Sequence, residues 1–446
     1  METLAKTDLP ELLPSDWTTV RFDDLFSVQQ GKQVSKKNRR GDNQRPFLRT
    51  KNVLWGHLDL TDLDKMNFTE AEEERLCLQP GDLLVCEGGD IGRTAIWRNR
   101  HEPCYYQNHL HRARAKDTNK VYPEFVLFWL WYAFEIGHVY FGRGNVTTIP
   151  NLSQSKLSEL PLPLPSIDEQ QKIASILGLL QRAIAQQDRL IAITNELKRT
   201  VLYYVFRHGL RGEPEKETEI GPLPLSWKVS KIQQLVDMGL IAKPMDGNHG
   251  NLHPKSDDFV RDGIPFVMAS DLENGTINFS TCAYLRKEQA DRLQKGFSNE
   301  GDVLISHKAT IGITAIVPKV HDYVMLTPQV TYYRVLDHGA LSNLYLKAFF
   351  ESDAFQQEFA KVARDGSTRS YIGITKQRDL FVALPDLNEQ LEIGNCAALL
   401  QHKIVLLTRR RSLLSDLFHT VLHQLMTAQM RVNDLDLGEL ESAMAA

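Results

Sequence analysis

The stretch GDLLVCEGGDIGRTAIW, beginning at Gly81, returns 220 residues later as GDVLISHKATIGITAIV, beginning at Gly301. Gly81/Gly301, Asp82/Asp302, Leu84/Leu304, Ile91/Ile311, Gly92/Gly312, Thr94/Thr314, Ala95/Ala315 and Ile96/Ile316 are identical pairs, whereas the central words CEGGD and SHKAT share nothing. The offset recurs along the chain. SIDEQQKIASILGLL from Ser166 matches DLNEQLEIGNCAALL from Asp386, and PFLRTKNVLWG from Pro46 matches PFVMASDLENG from Pro265, one residue out of step. SDWTTVRFDDL from Ser15 matches LSWKVSKIQQL from Leu225, so the second copy carries extra residues, placed in the Gly/Pro/Asn/Asp-rich AKPMDGNHGNLHPKSDDFVRDG and read as loop. A period this long is not that of a solenoid, whose repeats run to roughly 20–50 residues. It predicts two copies of one unit, each a globular part followed by a long helix. Duplication without functional consequence is the bland alternative; against it, framework positions match while the tips between them diverge.

At 446 residues the chain exceeds one ordinary core. Its 42% hydrophobic and 24% charged residues suit a folded protein. Cys77, Cys86, Cys104, Cys282 and Cys396 are scattered without a metal-site spacing, which predicts a reducing cytoplasm and no structural zinc. No signal peptide is expected from the opening METLAKTDLPELL, and FVLFWLWYAF from Phe125 is about half a membrane span, so a buried helix is expected there. Within each copy, short strand signals with Gly/Pro/Asn turns come first. GDLLVC and RTAIW fit the two arms of a hairpin.

The prolines of LPLPLP exclude helix until Pro165 is passed. Ser166 with Glu169, and Asp386 with Glu389, then read as capping boxes. Two helices of about 40 residues follow, each roughly 60 Å long. In the second, Ile393, Ala397, Leu400, Ile404, Leu407, Arg411, Leu414, Phe418, Val421 and Leu425 alternate by fours and threes, the spacing of a coiled-coil seam. The matching positions of the first are Ile173, Leu177, Leu180, Ile184, Gln187, Ile191, Thr194, Lys198, Val201 and Val205, a seam interrupted by Gln187, Thr194 and Lys198. The preferred expectation is that the two helices pair; a core helix packed on its own domain is the alternative.

The net charge of −4 does not announce a nucleic-acid partner, but charge is uneven. GKQVSKKNRRGDNQRPFLRTK carries Lys32, Lys36, Lys37, Arg39, Arg40, Arg45, Arg49 and Lys51 against Asp42 alone. Interleaved Gln, Asn and Ser suit phosphate and base-edge contacts. The second copy offers His253, Lys255, His307 and Lys308. Polar loops before the Pro-containing segments offer Arg143 and Asn145, and Arg364, Ser367, Thr368 and Arg369. His109 and His111 fall in an expected strand and are given no catalytic role. No Walker loop, methyltransferase N-P-P-[YF], H-E-x-x-H or G-x-S-x-G occurs, and PDLNEQLE from Pro385 lacks the acidic-x-Lys of a nuclease.

These paired phrases together, in order and over essentially the whole length, resemble the DNA-specificity subunit of type I restriction–modification systems. The resemblance implies an α+β fold with two strand-rich target-recognition domains, two long helices in an antiparallel coiled coil, and an internal pseudo-twofold repeat. Its boundaries would be 1–160 and 225–383 for the recognition domains, 161–212 and 384–432 for the spacer helices, 213–224 for a linker and 433–446 for a tail. Each domain would read half of a bipartite double-stranded DNA site. The helices would dock two methyltransferase subunits, with motor-endonuclease subunits joining them. The chain itself would be non-catalytic and hold no cofactor or metal; the partners would use S-adenosylmethionine, ATP and Mg. A stand-alone duplicated nucleic-acid-binding module is the alternative, which predicts exposed stacking aromatics in the tips.

Overall fold

The computed structural model describes residues 13–99, 103–140, 151–249, 253–308, 310–319, 322–364 and 371–432. The chain divides into two compact units, Met1–Gln186 with Arg411–Ala446, and Gln187–Arg410. This division cuts across the repeat. Each unit takes its globular part together with half of each long helix, Ile167–His208 and Leu387–Met426.

In the first unit, Phe26–Gln30, Leu110–Ala115, Leu83–Cys86 and Thr94–Ile96 form a four-stranded antiparallel sheet in that order. The hairpin expected from the repeated phrase is its second half, with Leu83 opposite Ile96. The turn needs Gly92, which sits at φ +80° where a Cβ would lie 2.3 Å from the Phe134 ring. A smaller sheet orders Asp64–Asn67, Gln44–Leu48 and Tyr105–Tyr106. The apolar run folds as a helix, Pro123–Trp131, continued by a wider turn to Ile136, and Phe125 through Leu130 are buried. No helix among the described residues is long and apolar enough to cross a membrane.

The second unit repeats this plan. Met245–Asp246, Val330–Tyr333, Val303–Ser306 and Thr314–Ile316 make the sheet, with Val303 opposite Ile316. The added segment read as loop is partly strand. Phe259–Val260 pairs with Ala283–Leu285 and helps widen the second sheet to five strands. Its backbone groups gain ladder partners that sequence composition did not reveal. The stretch between the repeats closes as a hairpin, Glu215–Thr218 with Gly221–Pro224.

Pro161 and Pro163 before the first long helix sit in a strand of a two-stranded ribbon, Pro161–Leu164 on Thr18–Arg21, where a missing N–H is tolerated. Phe381–Leu384 on Lys228–Lys231 is the counterpart. Ser166 Oγ then accepts from Glu169 N at 3.3 Å, and Asp386 Oδ1 from Glu389 N at 3.0 Å. The reciprocal half of each capping box is replaced by a longer-range bond. The Glu169 carboxylate accepts from Trp17 Nε1 (3.2 Å) and Arg431 Nε (2.9 Å), and Glu389 from Trp227 Nε1 (3.1 Å) and Leu210 N (2.8 Å). A buried indole N–H must find an acceptor, and this explains why the tryptophan and the Glu-Gln pair recur together. The adjacent glutamines act alike: Gln170 accepts from Tyr122 N at 2.8 Å, and Gln390 from Ser342 N at 3.0 Å.

The start of the first helix and the end of the second share a core in the first unit, where Ile173, Leu177 and Leu180 join Phe418, Leu422 and Leu425. In the second unit Leu202, Val205 and Phe206 share a core with Ile393 and Ala397. Burying each such side chain is worth about 1.5–3 kcal/mol.

Candidate nucleic-acid interface

In the first unit the basic segment joins the end of strand Phe26–Gln30 to strand Gln44–Leu48. Its turn is built by its own polar side chains: Asn38 N donates to Ser35 Oγ (3.1 Å), and Asn38 Nδ2 donates to Gln33 O (2.8 Å). The run of cations is less free than its sequence suggests. Lys32 is only 9% exposed, bonds Glu72 at 2.5 Å and Asn67 O at 2.8 Å, and lies over the Phe68 ring. It is an internal strut rather than a surface cation, which corrects the expectation of a DNA contact. Arg39 and Arg49 share Asp64 at 3.3 and 3.1 Å, Lys51 meets Asp62 at 2.6 Å, and Arg45 meets Glu73 at 2.6 Å. The fold thus supplies carboxylates that the local sequence lacks. Lys36, Lys37 and Arg40 remain exposed, with no ion pair among the described residues.

The root of this loop adjoins the hairpin tip. Gln30 Nε2 donates to Asn108 O (3.0 Å) and reaches the Glu87 carboxylate (3.5 Å), and Asn108 N donates to Lys32 O (2.9 Å). On the other side Leu152 N donates to Glu87 O (2.8 Å), and His111 Nε2 bonds Leu152 O at 2.9 Å. His111 is buried, and desolvation lowers its pKa, so it serves as a neutral strap. Three segments therefore meet: the basic loop's root, the CEGGD tip, and the start of the segment after residue 150. Arg143 and Asn145 lie outside the described residues.

The second unit brings the corresponding segments together. Ile372 N donates to His307 O at 3.1 Å. His307 itself is fully buried, held by Pro328 O (3.0 Å), Thr331 Oγ1 (2.7 Å) and Gln377 Nε2 (2.7 Å). Burial pushes its pKa down to about 4. It is a neutral bracket behind the tip, not a DNA-facing cation, and the expectation for this residue is corrected. Lys308 next to it is exposed and bridges in the backbone to Tyr371, whose ring is 43% exposed and stands edge-on to His307 at 5.7 Å. Lys255 is exposed, while His253 is half-buried 5.5 Å from the Phe266 ring. Arg364 ends the helix Asp353–Arg364; Ser367, Thr368 and Arg369 lie outside the described residues.

Sequence reasoning missed His109, exposed beside Glu87 at 3.6 Å; His249, half exposed and bonded to Asp246 at 2.8 Å; and Tyr371. No local motif marks them: His109 and Tyr371 gain their places from contacts with other segments, and His249 bonds a carboxylate three residues before it. Among the described residues no group of three or more His, Cys, Asp or Glu could hold a metal ion.

Two scaffolds of the same construction thus present unlike tips. Residues 14–195 match the type I restriction modification DNA specificity domain family. The chain is 20% identical over 439 residues to the type I restriction enzyme MjaVIII specificity subunit of Methanocaldococcus jannaschii, covering 95% of each chain. It is 21% identical over 393 residues to the EcoBI specificity subunit of Escherichia coli, covering 84% of this chain and 77% of that one. In fold it is similar to the type I restriction-modification S subunit of M. genitalium, with a TM-score of 0.60 at 14% identity, covering 93% of this chain and 98% of that one. Alongside the duplicated scaffold and the paired Trp–Glu anchors, residues 14–195 match the type I restriction modification DNA specificity domain, and over nearly its whole length the chain is similar to type I restriction enzyme specificity subunits.

Proposed function

We propose that this chain is the DNA-reading, non-catalytic subunit of a type I restriction–modification enzyme, each unit reading one half of a bipartite double-stranded site. The observation that carries this reading is the duplicated hairpin: Leu83 opposite Ile96 and Val303 opposite Ile316 fix one scaffold twice, while Cys86–Asp90 and Ser306–Thr310 differ throughout. Phosphate contacts come from Lys36, Lys37 and Arg40 in the first unit and from Lys255 and Lys308 in the second. Arg39, Arg49 and Lys51 contribute after releasing their carboxylates. Bases are read by the tips and by Arg143, Asn145, Arg364, Ser367, Thr368 and Arg369.

The two long helices pair antiparallel as a spacer, relating the two halves by a pseudo-twofold axis. Supporting this, Ile393, Ala397, Ile404, Leu407 and Phe418 of the seam are buried, whereas Leu399, Leu406 and Leu413 at heptad spacing are 70%, 49% and 60% exposed. Soluble chains rarely leave such a stripe bare. We assign it to two methyltransferase subunits, which would bring S-adenosylmethionine, with motor-endonuclease subunits bringing ATP and Mg. The recognition domains then follow the boundaries 1–160 and 225–383, with 213–224 as linker.

The test replaces Lys36, Lys37 and Arg40 together by Ala. Taking away each cation that neutralises a phosphate should reduce the log–log salt slope by about 0.9, so the slope of the triple variant should fall by up to about 2.7 and all duplexes should bind more weakly. An unchanged slope, measured by fluorescence anisotropy from 50 to 200 mM salt, would refute the assignment of these cations.

A further inference from the structure

Lys198 breaks the coiled-coil seam in the sequence, and its repeat-related residue on the second helix is Phe418. The two residues occupy corresponding places in different units, each against the end of the corresponding helix, with the hairpin one contact further on. In the first unit Phe418 packs on Trp131 at 4.8 Å, and Trp131 stacks on Trp55 at 5.5 Å with the rings 13° from parallel. Trp131 ends the helix Pro123–Trp131, and Trp55 tips the hairpin Val53–Leu54/His57–Leu58. In the second unit Glu351 stands where the first has Trp131, and Asn274 where it has Trp55. The correspondence is fixed independently by Tyr122 N and Ser342 N, which both donate to the glutamine of their long helix.

Around Glu351 the contacts are ionic. Lys198 Nζ is 2.8 Å from Glu351 Oε2, Lys347 Nζ is 2.6 Å from Oε1, and Thr314 Oγ1 donates to Oε1 at 2.9 Å. Lys198 Nζ also donates to Gln401 Oε1 at 2.6 Å, and Gln401 Nε2 bonds Asn274 O. The Lys198, Lys347 and Glu351 side chains are 12%, 10% and 17% exposed. Where the first repeat has Leu127, the second has Lys347. Desolvation works against both charges: it lowers the Lys347 pKa and works to raise that of Glu351, which the two lysines nevertheless hold below the usual value.

We propose that the Trp55–Trp131–Phe418 stack and the Lys198–Glu351–Lys347 cluster are two mutually incompatible locks that decide which long helix each globular unit accepts. The first unit is built for the second helix and the second unit for the first. A first unit offered the first helix would set an ammonium against the two indoles, where the neighbouring carboxylate, Glu135, is already taken by Trp55 Nε1 at 3.0 Å. A second unit offered the second helix would bury Glu351 and Lys347 against a phenyl ring, with one cation missing. Breaking a buried ion pair on one side leaves an uncompensated charge, the costliest kind of mismatch. The partner excluded is a second copy of this chain pairing like with like, to which the shared seam would otherwise be open. The locks are independent of DNA contacts, so their failure would leave the specificity reading untouched.

The test uses the full chain. Lys198→Phe alone should lower the melting temperature by about 5–10 °C, because Glu351 loses a partner and faces an aromatic ring. The triple variant Lys198→Phe/Lys347→Leu/Glu351→Trp rebuilds the first unit's lock in the second. It should recover at least half of that loss and, with discrimination gone, form dimers and larger species in light scattering at concentrations where the parent is uniform in mass. Lys198→Met, which removes only the charge, should destabilise without adding mass. A triple variant no more stable than Lys198→Phe would overturn the matched locks. A stable triple variant with the parent's mass at every concentration would overturn their role in partner choice.

Discussion

Replacing Asp82 with Asn should destabilise the first unit by about 2–4 kcal/mol. Asp82 is 1% exposed and accepts from Arg114 Nε and Nη2, each at 2.7 Å, and from Gln79 N at 2.7 Å. Asn keeps an acceptor for Gln79 but turns its amide donors toward a guanidinium whose other partner among the described residues is Cys77 O, at 3.2 Å. Removing one member of a buried pair costs about 3–5 kcal/mol, discounted here because the Arg114 side chain is 31% exposed. For a unit of this size the loss corresponds to a fall of about 5–12 °C in melting temperature. Arg114→Met should cost a similar amount by stranding the carboxylate. The double variant Asp82→Asn/Arg114→Met should cost clearly less than the sum, with a coupling of about 2 kcal/mol. Trp97, whose N–H donates to Asp82 O at 2.9 Å, is close to the change. Urea titrations followed by tryptophan fluorescence, with calorimetry alongside, read both the midpoint and the coupling. Single variants within about 0.5 kcal/mol of the parent, or strict additivity in the double, would refute this explanation of why Gly-Asp recurs in both repeats.

Acidification should weaken the second unit through His307. Its folded pKa of about 4 lies below the unfolded value near 6.5, so the neutral form's advantage is complete above pH 6.5 and is lost as pH falls toward 4. The loss is up to about 3 kcal/mol; Trp227 fluorescence in the second unit should show it, and His307→Gln should flatten the dependence. Lengthening both helices by one heptad, after Gln186 and after Arg410, adds about 10 Å to the spacer. Methylation mapping should then find the unread gap about three base pairs longer with both half-sites unchanged, and an unchanged gap would sink the spacer assignment.

The repeat, the hairpin phrases and the caps were legible in the sequence because they depend on neighbours a few residues away. Leu83–Cys86 must turn back at Gly92, and Pro165 must precede the helix. The 3.5-residue period of apolar residues was legible for the same reason, since one helix suffices to show it. What only the tertiary structure decided lies in contacts between distant segments. It turned Glu169 and Glu389 from local caps into acceptors for indoles more than 150 residues away. Asp62, Asp64, Glu72 and Glu73 were set against the basic run, leaving Lys36, Lys37 and Arg40 as its exposed cations without an ion pair among the described residues. His307 was drawn inside, where desolvation removes its charge, and Lys198 was given a carboxylate that makes a seam defect into a matched contact. Local propensity and periodicity are properties of a segment, whereas burial and pairing of charge are properties of what the fold brings beside it.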